Sequence, residues 1–292
     1  MKKTSYYLMP SCLLSLFHPS APAQRRLQSS AAKSKSLRGL MGFIAIYGAS
    51  HLNACQFIID FDTDDQGNAL LTTNSINIGV DQPYADLFGA AGSGLGVDFS
   101  APASNAGPLV LYNTEGDTGE DSDLERHSGL GGSTPGQWSL GNAINSNFGN
   151  GLIINRDNDL STPNDEGTGG TVTISFDVDL LSFGFDYVDL DNADLGTIRF
   201  FDSSSTSIVS IPFTQFQNGG VRDVGAAFGN HAGNTIAPIT AASLGFTSFN
   251  QVEFVTTGSG AIGSITIETV PESSSSALLG AVGVLSLFRR WR

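Results

Sequence analysis

Beyond Lys35 the chain contains no lysine, and beyond Cys55 it contains no cysteine. The first absence excludes a lysine-dependent phosphate loop and a Schiff-base nucleophile. The second excludes a thiol nucleophile, a cysteine zinc site and a disulfide within everything that follows. Histidine is nearly as scarce: after position 55 only His127 and His231 remain, each in a polar, glycine-rich segment and neither in an HExxH pattern. No G-x-S-x-G elbow is present. Paired carboxylates could in principle cleave a glycosidic bond, but among so many acids pairs carry no signal. The sequence therefore reads as a non-enzyme.

Basic charge is as unevenly spread as lysine. From Asp60 to Glu268 there are 27 acidic residues against four arginines, Arg126, Arg156, Arg199 and Arg222, a formal balance of -23. Such a surface excludes nucleic acid as a partner, because a phosphate backbone needs clustered lysine or arginine. Cations are its natural partners. With no cross-link available, stability must come from a large core or from bound metal.

Helical periodicity is nearly absent, apart from one turn expected at 83–88. Short runs rich in valine, isoleucine, threonine and phenylalanine recur between glycine, asparagine, aspartate and serine, which is a strand-and-turn pattern. Strands are expected at 57–61, 109–112, 152–155, 171–176, 181–188, 197–201, 207–211, 250–255 and 262–268. In Thr171-Val172-Thr173-Ile174-Ser175-Phe176 every second residue is apolar, so one face is buried and one wet. The body, 55–269, is expected to be an all-β antiparallel β-sandwich.

The two ends differ from the body. Lys33, Lys35 and Arg38 precede a mostly apolar stretch at 40–48 and then small residues, as in an export signal, so 1–54 is read as a signal region. At the other end, 270–292 holds Val270-Pro271-Glu272, a serine run, twelve mainly apolar residues at 277–288, and Arg289, Arg290 and Arg292. The apolar run is short of the roughly 20 residues that span a bilayer. Held as a short transmembrane helix, it would leave the arginines inside the cell and the body outside.

This ending resembles the PEP-CTERM sorting tail of bacterial surface proteins, with Ser273 where that motif has its second proline. The resemblance implies an exosortase-type transpeptidase as partner and a transient membrane anchor, with the body at the cell surface or in the extracellular matrix. The body also resembles a jelly-roll domain common among such proteins and similar to galactose-binding-like sandwiches. The blocks that carry this likeness are Ile58-Ile59-Asp60-Phe61-Asp62-Thr63-Asp64, Pro108-Leu109-Val110-Leu111-Tyr112, Gly151-Leu152-Ile153-Ile154 and Pro163-Asn164-Asp165-Glu166.

Three acidic clusters have the oxygen-rich chemistry of calcium ligands. They comprise Asp60, Asp62 and Asp64; Asp117, Asp121 and Asp123; and Asp157, Asp159, Asp165 and Glu166. None is an EF-hand, since Asp65 stands where that loop needs glycine. A structural calcium site built by two of these loops is expected, with Arg126 and Arg156 as rival internal counter-charges and plain turn hydrogen bonding as the simpler alternative. The primary expectation is a non-catalytic surface or matrix protein, and the alternative is a calcium-stabilised carbohydrate-binding module that takes extracellular polysaccharide. Sugars favour exposed aromatic platforms, so Trp138 is the residue to inspect, ahead of Tyr84, Tyr112 and Tyr187.

Overall fold

The computed structural model describes residues 54–70, 77–102, 104–105, 107–115, 121–126, 136–190, 196–204 and 208–271. The expected export segment before 54, the sorting tail from Glu272 onward and Asp117 lie outside these residues. Two units are distinguished, Gln56–Val270 and the chain ends that flank it, and all that follows concerns the first.

Among the described residues ten strands build this unit: β1 (Gln56–Ile59), β2 (Val97–Ser100), β3 (Leu109–Asn113), β4 (Asn150–Ile154), β5 (Gly170–Val188), β6 (Thr197–Asp202), β7 (Ile208–Pro212), β8 (Gly233–Thr240), β9 (Phe249–Thr256) and β10 (Ala261–Thr269). Every strand pairing is antiparallel. One four-residue α-helix, α1 (Ile78–Asp81), and short 3-10 turns are the only other regular elements among the described residues. The expected helical turn at 83–88 is a run of hydrogen-bonded turns, and α1 sits just before it. The architecture is the all-β sandwich that the strand pattern predicts.

Strand β5 makes the sandwich from one continuous ribbon. Its first half pairs with β2 and β9, and its second half pairs with β10 and β8. The register shift between Ser175 and Leu180 marks the passage from one sheet to the other. Sequence alternation suggested two strands here because Asp177-Val178-Asp179 interrupts it. Those residues instead form the bend, with Asp177 Oδ2 accepting the Gly96 N–H at 2.8 Å.

Two strands were not expected. Strand β2 is four residues long and follows a glycine-rich stretch, so it offers little pattern. Strand β8 contains Pro238, which a sheet tolerates on an edge or at a bulge. Here it is both, because β8 pairs with β5 alone and slips register opposite Gly184.

Phenylalanines fill the space between the sheets. The Phe183 ring, fully buried, meets Phe176, Phe185, Phe200 and Phe254 at centroid separations of 5.9 to 6.2 Å. Edge and tilted contacts of this kind add to the area term that makes burying such a side chain worth about 1.5–3 kcal/mol. A second, smaller core lies under the loops after β3, where Val110, Tyr112, Leu124, Trp138, Phe148, Ile153, Val188 and Ala261 pack together.

Gln56–Val270 contains no cysteine and relies on its core.

Candidate functional site

Four of the aspartates read as calcium ligands, together with Glu166, serve their own turns. Asp60 Oδ1 accepts from the N–H of Asp62 and of Thr63 at 3.1 and 3.2 Å. At Asp64 desolvation is outweighed by hydrogen bonds from the Asn68 side chain and from the Asn68, Gln66 and Gly67 N–H groups, which hold its carboxyl below the ordinary range. Asp157 accepts from Asp159 N–H at 2.8 Å. Asp159 accepts from the Ser161 and Thr162 hydroxyls and the Ser161 N–H, and Glu166 Oε1 accepts from both N–H and hydroxyl of Thr168. These are side-chain turns of the sort aspartate favours.

Asp62 is different. Burial raises its carboxyl pKa, the hydrogen bond from Asn150 N–H at 2.9 Å opposes this, and the charges of Asp60 and Glu115 push it up further. Glu115 in turn pairs with Arg126.

Asp121, Asp123 and Asp165, from two loops, do come together. Asp121 Oδ2 accepts the Asp165 N–H at 3.0 Å, and Asp165 Oδ2 accepts the Gly260 N–H at 2.5 Å. Asp121 and Asp165 are each only 7% exposed. Desolvation, a hydrogen bond with Asp123 and the charge of Asp165 push the Asp121 carboxyl up to about 10. At neutral pH it holds a proton, which is how like charges share a buried site. Below, the Tyr112 hydroxyl donates to Glu125 Oε1 at 2.8 Å and lies 3.1 Å from the Asp121 carbonyl oxygen, fixing this loop to β3. The expected counter-charges Arg126 and Arg156 do not pair with the group: between described residues the ion pairs are Arg126 with Glu115 and Arg199 with Glu253.

Strained backbone adjoins the same end of the sheet. Asp189 and His231 both have left-handed φ, 56° and 60°. Asp189 Oδ1 accepts the His231 N–H at 2.9 Å, and Ser259 Oγ donates to Asp189 Oδ2 at 3.3 Å. Among the described residues no three histidine, cysteine, aspartate or glutamate side chains form a group that could hold a metal ion.

Trp138 corrects the expectation of an aromatic platform. It is 2% exposed, lies stacked on Phe148 at 5.7 Å, and donates from Nε1 to the Ser146 carbonyl at 3.1 Å. The indole plugs the second core, and Gly233 passes beneath it so closely that a Cβ there would stand 2.4 Å from the ring. Tyr84, Tyr112 and Tyr187 are also buried.

A different aromatic faces outward. Sheet β2-β5-β9-β6-β7 turns its polar positions away from the core, and the register aligns them in rows. One row reads Ser100, Thr173, Glu253, Arg199 and Ser210; the next reads Asp98, Ser175, Gln251, Phe201 and Ile208. Of the described phenylalanine, tyrosine and tryptophan residues, only Phe201 is neither buried nor packed against a core cluster. Beside it Ile208 is 57% exposed. Arg199 lies 3.6 Å from Glu253 Oε2, and Gln251 Nε2 donates to Glu253 Oε1 at 3.3 Å. The face spans about 19 Å across five strands at the usual spacing. It joins an apolar patch to ordered hydroxyl, amide, carboxylate and guanidinium groups.

Period two alone points to Phe201. In Ile198-Arg199-Phe200-Phe201 one of two adjacent phenylalanines has to leave the core, and Phe200 takes the inside position.

No protein family's model matches the chain, and no curated protein does. Solved structures give distant likenesses. A family 29 carbohydrate-binding module shares 15% identity over 40% of this chain and 67% of its own length, with a TM-score of 0.25. Another structure of a family 29 module covers 59% of this chain and 92% of its own length at 13% identity and a TM-score of 0.26. A family 32 module of a family 31 glycoside hydrolase from Clostridium perfringens shares 14% identity over 44% and 80% of the two chains, with a TM-score of 0.20. Superpositions at this level carry no inference about ligand or site.

Proposed function

We propose that this protein is a non-catalytic carbohydrate-binding module that works outside the cell, and that the outer face of sheet β2-β5-β9-β6-β7 is its binding surface. The carrying observation is Phe201, a half-buried aromatic ring left outward on β6, beside the edge strand β7 of a mainly polar face. A pyranose offers C–H groups on one side and hydroxyls at its rim. Phe201 and Ile208 supply the apolar contact, and Arg199, Gln251, Glu253, Thr173 and Ser175 supply donors and acceptors around it. Orientation and specificity in such sites come from a few placed polar groups, and the area term comes from the apolar ones.

The sorting-tail resemblance of 270–292 supports display at the surface through an exosortase-type transpeptidase, with extracellular polysaccharide as the available partner.

Affinity electrophoresis through gels containing individual neutral polysaccharides tests the proposal. Retardation of the protein by at least one glycan, lost in Phe201→Ala with an unchanged melting temperature, supports it. Retention that survives Phe201→Ala and Arg199→Ala removes the face from the account.

A further inference from the structure

The segment between the Phe213–Phe216 turn and β8 carries a group that plays no part in binding. Asn218 and Gly219 occupy the centre of a tight turn closed by the Gly220 N–H on the Gln217 carbonyl at 2.9 Å. Gly219 has φ +84°, and nothing lies within 4 Å of where its Cβ would be. Asn218 is exposed, and no hydrogen bond to a described residue restrains its side-chain amide. Across the loop, Asp223 Oδ2 accepts the Gly219 N–H at 2.9 Å and Oδ1 accepts the Gly225 N–H at 2.8 Å.

We propose that Asn218 is a site of spontaneous covalent modification, deamidation through a cyclic imide, with Asp223 as the base that activates the Gly219 nitrogen. The Gly219 N–H proton passes to the Asp223 carboxylate. The freed nitrogen pair attacks Asn218 Cγ, a nitrogen–carbon bond forms, the Cγ–Nδ2 bond breaks, and ammonia leaves with the proton returned by Asp223. One water then opens the ring at either carbonyl, giving aspartate or isoaspartate. Nothing is oxidised or reduced.

Three features favour this position. The glycine has no side chain to hinder ring closure, and its left-handed conformation is one only glycine adopts without cost. The amide leaving group is open to solvent. The exposed Asp223 carboxylate is in direct hydrogen-bond contact with the Gly219 N–H at 2.9 Å, placed to take its proton.

The chain supplies its own control. Asn150-Gly151 is the same dipeptide, but Asn150 is 7% exposed and its Nδ2 donates to the Phe61 and Leu70 carbonyls at 2.9 and 3.2 Å. Gly151 lies inside β4, opposite Tyr112. Both the leaving group and the nucleophile are held there.

The test incubates the full chain at mildly alkaline pH in heavy-oxygen water and maps label and isoaspartate by peptide mass spectrometry. The expected result is label at position 218, with isoaspartate among the products, while the peptide containing Asn150 stays unlabelled. Asp223→Asn should slow labelling at 218 several-fold, and Asp223→Glu, which keeps a carboxylate, should restore it. Equal labelling at both positions, or none at 218, would overturn the site. An Asp223→Asn protein that labels at the wild-type rate or faster would overturn the role of Asp223.

Discussion

Asp121 Oδ2 accepts the backbone N–H of Asp165 at 3.0 Å, joining two loops 44 residues apart in the chain. The bond needs an acceptor, but the surroundings disfavour a second negative charge, so Asp121 stays protonated with its pKa pushed up to about 10. The loop end of the sandwich is therefore held by a proton.

That proton sets a pH dependence with a definite sign. The unfolded chain releases it near pH 3.9 and the folded chain near 10, so between these values the folded state binds one proton more. Stability from this group is complete below about pH 3.9, falls as pH rises, and is gone above about 10, with a limiting slope of about 1.4 kcal/mol per pH unit for one proton. Melting temperatures from pH 5 to 9 should decline less steeply in Asp121→Asn than in the parent protein. Parallel curves would mean that Asp121 is ionised throughout.

Calcium should leave that proton in place. Among the described residues no three carboxylates gather into a group that could hold a metal ion, so neither added calcium nor chelator should move the melting temperature of the parent protein or of Asp121→Asn. A calcium-dependent rise that Asp121→Asn abolishes would make this carboxylate pair a metal site.

How much of this was readable beforehand depends on the range of the signal. Alternation in 171–176 announced a half-buried strand, and repetition of such runs announced the sandwich. Strand β8 escaped because Pro238 and Gly233 break every local rule for a strand, and only its pairing with β5 makes it one. Trp138 was conspicuous by its chemistry, yet tertiary packing decided its place. Phe201 was inconspicuous among so many phenylalanines, although its adjacency to Phe200 already required one of the two to face outward. The meeting of Asp121 with Asp165 rests on long-range topology, which local spacing cannot encode.

Gly233 tests the packing of the second core. A Cβ there would stand 2.4 Å from Trp138 Cγ and Cδ1, and the indole is pinned by Phe148 and by its bond to Ser146. Gly233→Ala should cost about 2–3 kcal/mol, since neither ring nor strand can yield freely. For a unit of this size that lowers the melting temperature by roughly 4–12 °C. Trp138→Ala should cost about 3–5 kcal/mol by emptying the same space. Neither variant should lose glycan retention at temperatures where it remains folded.

The central claim is that the sheet face, and no other surface, meets the glycan. The most direct measurement is nuclear magnetic resonance titration of the labelled protein with the best-retained oligosaccharide. The account predicts that amide and side-chain shifts concentrate at Arg199, Phe201, Gln251, Glu253, Thr173 and Ser175, while Asp121, Asp165 and Trp138 stay still. Shifts gathered at the Asp121–Asp165 loops, or saturable binding that leaves β6 and β9 unmoved, would contradict it.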